Sequence, residues 1–101
     1  MDANVSVASS GVVTTLDSFN TNTYRSAKYI VQVTNGTNFQ TEEVLLVQNG
    51  TTATVVTYGV VQTAGNLGSI SATISGSTVY LQFTATNATN TVRLWRQYLQ
   101  L

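Results

Sequence analysis

The sequence predicts an all-β fold, an antiparallel β-sandwich or jelly roll of about eight strands with no substantial helix. Three observations carry this prediction. Nearly every segment alternates apolar and polar residues with a period of two, the mark of a strand with one buried face. Turn-forming residues punctuate the alternating runs at short intervals. The runs are brief and evenly spaced, which favours two packed sheets over one open sheet.

Strands are expected near 4–7, 11–17, 23–34, 39–48, 51–61, 69–75, 78–86 and 91–100 within a single domain spanning 1–101. Residues 1–20 are expected to be loosely attached or to exchange with a neighbouring subunit, as chain ends often are. The clearest alternation is Val79, Leu81, Phe83 and Ala85 against Thr78, Tyr80, Gln82, Thr84 and Thr86. Ile70, Ala72 and Ile74 alternate equally cleanly with Ser69, Ser71, Thr73 and Ser75. Asn35-Gly36, Asn49-Gly50, Ser75-Gly76 and Asn87–Asn90 mark the turns. Asn-Gly suits a type I′ hairpin because both central positions need positive φ.

If Asn49-Gly50 closes a two-residue loop, Val44 lies opposite Val55 and Leu46 opposite Ala53. Leu45, Val47 and Val56 then form a second apolar face. A strand apolar on both sides is either covered by two layers or forms a subunit interface. Val44, Leu45, Leu46, Val47, Val56 and Tyr58 are therefore the candidate interface residues. A last hairpin closed at Asn87–Asn90 sets Phe83 opposite Leu94 and Ala85 opposite Val92. Two registers satisfy its second strand. One puts Arg96 on the apolar face and Trp95 on the polar face; the other, with a bulge near Leu94-Trp95, turns Trp95, Leu99 and Leu101 inward.

Charge separates the function classes. Only 8% of residues are charged, against about 25% in ordinary soluble proteins. The net charge is zero, there is no His, and the only cations are Arg25, Lys28, Arg93 and Arg96. Nucleic-acid binding needs clustered cations, so it is not expected. Without Cys there is neither a disulfide nor a thiolate metal site. No run approaches the ~20 apolar residues of a membrane-spanning helix. The Met1–Asn4 start lacks the basic-then-apolar pattern of a signal peptide. A surface made soluble by Thr, Ser, Asn and Gln suits proteins that pair, stack and assemble.

The chemistry of catalysis is missing. Glu42 and Glu43 are adjacent in an expected strand, so they point to opposite faces and cannot act on one substrate. They are read as surface charge and a cross-strand partner for Lys28. Asp17, in an Asp-Ser-Phe-Asn stretch read as a loop, could offer oxygen to calcium, but no ligand spacing supports it. No catalytic, cofactor-binding or metal-binding residues are assigned. Sequons at Asn4, Asn35, Asn49 and Asn87 are read as turn and strand chemistry. Tyr80, Gln82 and Trp95 form a candidate glycan face, if the last hairpin brings them to one side, where rings could stack on sugars.

The run Tyr24-Arg25-Ser26-Ala27-Lys28-Tyr29-Ile30-Val31-Gln32-Val33-Thr34 is followed by Thr41-Glu42-Glu43-Val44-Leu45-Leu46-Val47. Then come Asn49-Gly50-Thr51-Thr52, Thr57-Tyr58-Gly59-Val60, Leu67-Gly68 and Ile74-Ser75-Gly76. In that order, over roughly residues 11–96, the chain resembles a β-domain of virion structural proteins, in tails and fibres, of contractile-tailed marine cyanophages. Where that pattern often has His and Asp, this chain has Gln48 and Asn49. The resemblance implies a virion component assembled in the bacterial host cytoplasm, without enzymatic activity or cofactor. Its expected partners are itself, as a homo-oligomer with a trimer as one form, and other virion proteins. The alternative is a carbohydrate-binding or receptor-attachment module with a host-surface glycan as partner.

Overall fold

The computed structural model of the chain describes the backbone of residues 3–7 and, in full, residues 10–101. It is all-β, with eight strands: β1 (Ala3–Val7), β2 (Val13–Asn20), β3 (Tyr24–Asn35), β4 (Asn38–Gln48), β5 (Ala53–Gln62), β6 (Gly68–Ser75), β7 (Thr78–Ala85) and β8 (Asn90–Gln100). Two antiparallel sheets result, a five-stranded one ordered β1-β8-β3-β4-β5 and a three-stranded one ordered β2-β7-β6. Among the described residues no helix is long and apolar enough to cross a membrane.

The alternation read from the sequence places the core. Tyr29, Val31 and Val33 of β3, Val44 and Leu46 of β4, and Val92 and Leu94 of β8 face inward from the large sheet. Val79, Leu81, Phe83 and Ala85 of β7, with Leu16 and Phe19 of β2, meet them from the small one. Burying such side chains stabilises the fold by about 1.5–3 kcal/mol each. Within the N-terminal 20 residues, Val13–Asn20 form β2, paired with β7 and anchored by buried Leu16 and Phe19. β1 pairs with β8 of the same chain, from Ala3↔Leu94 to Val7↔Asn90. Residues 1–2 and 8–9 of the expected mobile segment lie outside the described residues.

Several expectations about pairing are corrected. The last two strands form no hairpin: β7 lies between β2 and β6, whereas β8 lies between β1 and β3. Phe83 pairs with Thr14 and Ile70, and Leu94 with Val31 and Ala3. The connection at 86–89 crosses between sheets, with Thr89 at φ 63°. The Asn35 amide holds it there by donating to Ala88 O at 2.8 Å, Thr89 O at 3.2 Å and Asn90 Oδ1 at 3.1 Å. No bulge resets β8 at Leu94-Trp95, so Trp95 points outward and Arg96 inward.

The β4–β5 register is shifted by two residues from the expected one. Leu46 pairs with Val55 and Val44 with Thr57. The loop has four residues, Asn49–Thr52, because Asn49 Oδ1 accepts from the Thr51 and Thr52 amides at 3.1 and 2.8 Å. A shift of two preserves which side chains face inward. In the hairpins at 36–37 and 76–77 the glycine occupies the first central position, with φ 60° and 64°. No non-glycine there has positive φ, so these turns follow the type II′ pattern, where one permissive residue suffices.

Buried amides pin the other crossings. Gln48 is 2% exposed, and its Nε2 donates to Thr21 O and Tyr24 O at 2.9 and 2.7 Å. Gln40 Oε1 accepts from the Leu67 amide at 2.7 Å and from Gln62 Nε2 at 3.3 Å. Each satisfies backbone that the loop would otherwise bury unpaired.

Candidate functional site

The two outer faces differ sharply in chemistry. On the small sheet, Ser69, Ser71, Thr73 and Ser75 of β6 and Thr78, Tyr80, Gln82 and Thr84 of β7 point away from the core. On the large sheet the outward positions include Ile30, Leu45, Val47, Val56, Tyr58, Trp95 and Leu99, all exposed. Their registers form rows across the sheet. One row runs Leu99–Ser26–Val47–Thr54, the next Gln97–Lys28–Leu45–Val56, and the third Trp95–Ile30–Glu43–Tyr58. Ser26, Leu45, Val47, Thr54 and Val56 help line a shallow groove of about 390 Å³ on this sheet. Leu45, Val47 and Val56 thus adjoin as an exposed apolar patch with Lys28 and Glu43 at its border; apolar patches rimmed by polar residues are where partners tend to dock.

The candidate interface residues therefore divide. Leu45, Val47, Val56 and Tyr58 lie on the exposed face, whereas Val44 and Leu46 are 0% and 2% exposed in the core and cannot meet a partner. Ile30, Trp95 and Leu99 belong to the same face and were missed as interface candidates. Strand parity could have found Ile30, since Tyr29 and Val31 on either side are apolar and inward.

The candidate glycan face does not assemble. Tyr80 and Gln82 lie on the outer side of the small sheet and Trp95 on that of the large sheet, with the core between them. The shared face required β7 and β8 to pair, which they do not. Trp95 instead borders a smaller depression of about 180 Å³ with Ile30, Gln32 and Arg93.

Glu42 and Glu43 do point to opposite faces. Glu42, however, is 4% exposed and faces the interior, so it is no surface charge. Burial raises its pKa above the ordinary carboxylate value, while a weak contact from Gln40 Nε2 at 3.5 Å opposes this. Lys28 pairs with Leu45 and Gln97, not with an acid. Glu43 sits across from Tyr58, and its carboxylate raises the Tyr58 pKa.

Asp17 lies in β2, not in a loop, at a bulge between Thr15 and its own position. Its carboxylate faces inward and accepts from Tyr29 Oη at 2.9 Å, from Arg96 Nη1 at 2.7 Å and from Tyr98 Oη. Protein donors thus occupy both oxygens, which leaves no calcium role for them. Among the described residues no group of three or more His, Cys, Asp or Glu could hold a metal. Burial first, then Asp17, raises both tyrosine pKa values well above the ordinary one. Beside this cluster Tyr98 stacks on Tyr24 at 4.6 Å between ring centroids, and Phe19 packs against both. The arrangement ties β2 of one sheet to β3 and β8 of the other. It is a structural latch that the sequence did not disclose.

No protein-family model and no curated protein matches the chain. Its fold is similar to part of two solved proteins. One is the tailspike protein of Acinetobacter phage vB_ApiP_P1, with TM-score 0.65, 12% identity, and coverage of 98% of this chain and 22% of that one. The other is the tailspike protein of Acinetobacter baumannii phage AM24, with TM-score 0.57, 12% identity, and coverage of 98% and 25%. The chain therefore spans a quarter or less of either tailspike. At this identity the likeness establishes the fold: a β-domain of a kind present within phage tailspikes.

Proposed function

We propose that the chain is a non-enzymatic structural domain of a bacteriophage virion, a tail, neck or fibre component that acts by self-assembly. One observation carries this reading: the outer face of the large sheet carries an exposed apolar patch, Leu45, Val47 and Val56 with Ile30, Trp95 and Leu99 around it, whereas that of the small sheet is built from Ser, Thr, Tyr and Gln. Covering such a patch with a partner removes apolar surface from water, which favours association. The low charge supports the same reading, since identical copies then meet with little repulsion. The tailspike-like fold supports a place on a phage tail, and the sequence resemblance favours contractile-tailed marine cyanophages. The partners are other copies and other virion proteins, joined in the host bacterial cytoplasm.

Immunogold labelling of purified particles, with antibody raised against the chain, tests this. Gold at one repeated position on the tail is expected. Unlabelled particles, with antibody proven on infected-cell lysate, would overturn it.

A second reading, attachment to a host-surface glycan, is favoured only by the exposed Trp95 beside Arg93 and Gln32. It predicts that Trp95→Ala abolishes retention on a glycan array while thermal stability is unchanged. Equal retention by both proteins would remove it.

A further inference from the structure

Within the self-association reading, we propose that β5 is the joining edge and that it pairs antiparallel with β5 of a second copy. Three observations lead there.

First, β5 ends the large sheet, and among the described residues no strand pairs with its far side. Alternate N–H and C=O groups along that side therefore lack a strand partner. Natural edge strands are usually made short or guarded by Lys or Pro. This one has ten residues, neither Lys nor Pro, and a straight run of Ala53–Tyr58 before its bulge at Gly59. The opposite edge, β1, has five.

Second, no Asp, Glu, Lys or Arg occurs between Glu43 and Arg93, so β5, β6 and β7 are free of charge. Two copies meeting at β5 desolvate no ion on the joining strands. The Glu43 carboxylates, one strand back in each copy, stay about 14 Å apart across three strand spacings. That exceeds the Debye length of about 8 Å at physiological salt.

Third, joining at β5 sets apolar side chains against one another across the seam, and joining at β6 does not. β6 is also an edge without charge, but its outward residues are Ser and Thr. β5 presents Val56 at 56% exposure and Tyr58 at 37%, with Leu45 and Val47 behind them on β4. A two-fold axis normal to the sheet keeps both outer faces on the same side. The two apolar patches then merge into one surface across the axis. The β-bulge at Gly59, with φ 62°, limits straight pairing to Ala53–Tyr58. Such a contact closes on itself and joins the copies in pairs, a form of homo-oligomer different from the trimer that the sequence resemblance offered as one form.

The chain has no cysteine, so single-cysteine variants give a clean readout. On a two-fold axis one residue faces its own copy, close enough for a disulfide. Variants at Thr54, Val55, Val56, Thr57 and Tyr58, oxidised mildly, are expected to give covalent dimer strongly at one position. Trp95→Cys and Leu99→Cys on β8, three strands back from the seam, are expected to give none.

The unmodified chain supplies a second measurement by amide hydrogen exchange. Alternate amides of Ala53–Tyr58 should slow by about tenfold or more on going from dilute to concentrated protein. Association in sedimentation without cross-linking or alternate protection at β5 would overturn the edge while leaving self-assembly intact. A monomer at all concentrations would overturn both.

Discussion

Replacing Asp17 by alanine removes the one group that two tyrosines and an arginine share across the sheets. The Asp17 side chain is 5% exposed and that of Arg96 34%. Tyr29, the third member, is 0% exposed, so its hydroxyl has no route to water once its acceptor is gone. Breaking a buried ion pair by removing one partner costs about 3–5 kcal/mol. Because Arg96 can turn its charge partly to solvent, the lower end applies, about 3 kcal/mol. An orphaned Tyr29 hydroxyl accounts for about 1–3 kcal/mol of that. Against a total stability of about 5–15 kcal/mol the loss is large.

Urea unfolding at pH 7 measures it: the midpoint should fall while the m-value stays constant. Tyr29→Phe, which deletes one donor and strands no charge, should cost only about 1 kcal/mol. A double-mutant cycle between the two should show strong coupling. An Asp17→Ala cost below about 1 kcal/mol, or one smaller than that of Tyr29→Phe, would refute the latch.

Glu42 is buried with its pKa raised by desolvation. Its contribution to stability is complete below the unfolded value of 4.5 and is lost as pH rises through the raised folded value. Glu42→Gln should therefore stabilise the chain at pH 7 and flatten the rise in stability seen on acidification; Tm measured from pH 4 to 8 reads both. Tyr29 and Tyr98 behave alike at the alkaline end, with stability lost once the pH passes the ordinary tyrosine value of 10.0. Ultraviolet titration should show their ionisation arriving only with unfolding. At Gly68 a Cβ would collide with the Phe83 ring and sit 2.7 Å from Thr84 O, where backbone cannot yield. Gly68→Ala should cost about 1–3 kcal/mol by overpacking; a Tm within 2 °C or so of the parent would contradict that contact.

The strands and their inward faces were legible because alternation is local. Val79, Leu81 and Phe83 declare a buried face without reference to anything distant. Which strands lie side by side was not legible. β3 pairs with β8 across more than half the chain, from Tyr24↔Gln100 to Thr34↔Thr91. Nothing in either segment names the other. The expected β7–β8 hairpin failed for the same reason, since a four-residue link can turn back in one sheet or cross to the next. The side chain that binds the crossing link, Asn35, is far away in sequence.

The buried polar groups were the least legible. Asp17 and Glu42 look like ordinary surface acids until Tyr29, Tyr98 and Gln40 are placed beside them. The apolar outer face was half visible: the doubly apolar β4 announced it, but one of its two faces proved to be core. Parity separates Leu45 and Val47 from Val44 and Leu46, and only the second layer says which pair is covered.

Sedimentation velocity of the unmodified chain, beside a Leu45→Asp/Val56→Asp variant, tests the central claim that the large sheet's outer face is an assembly surface. The unmodified chain should associate as concentration rises, and the folded variant should remain monomeric. A monomer at the highest concentration, or equal association of the two proteins, would contradict the account.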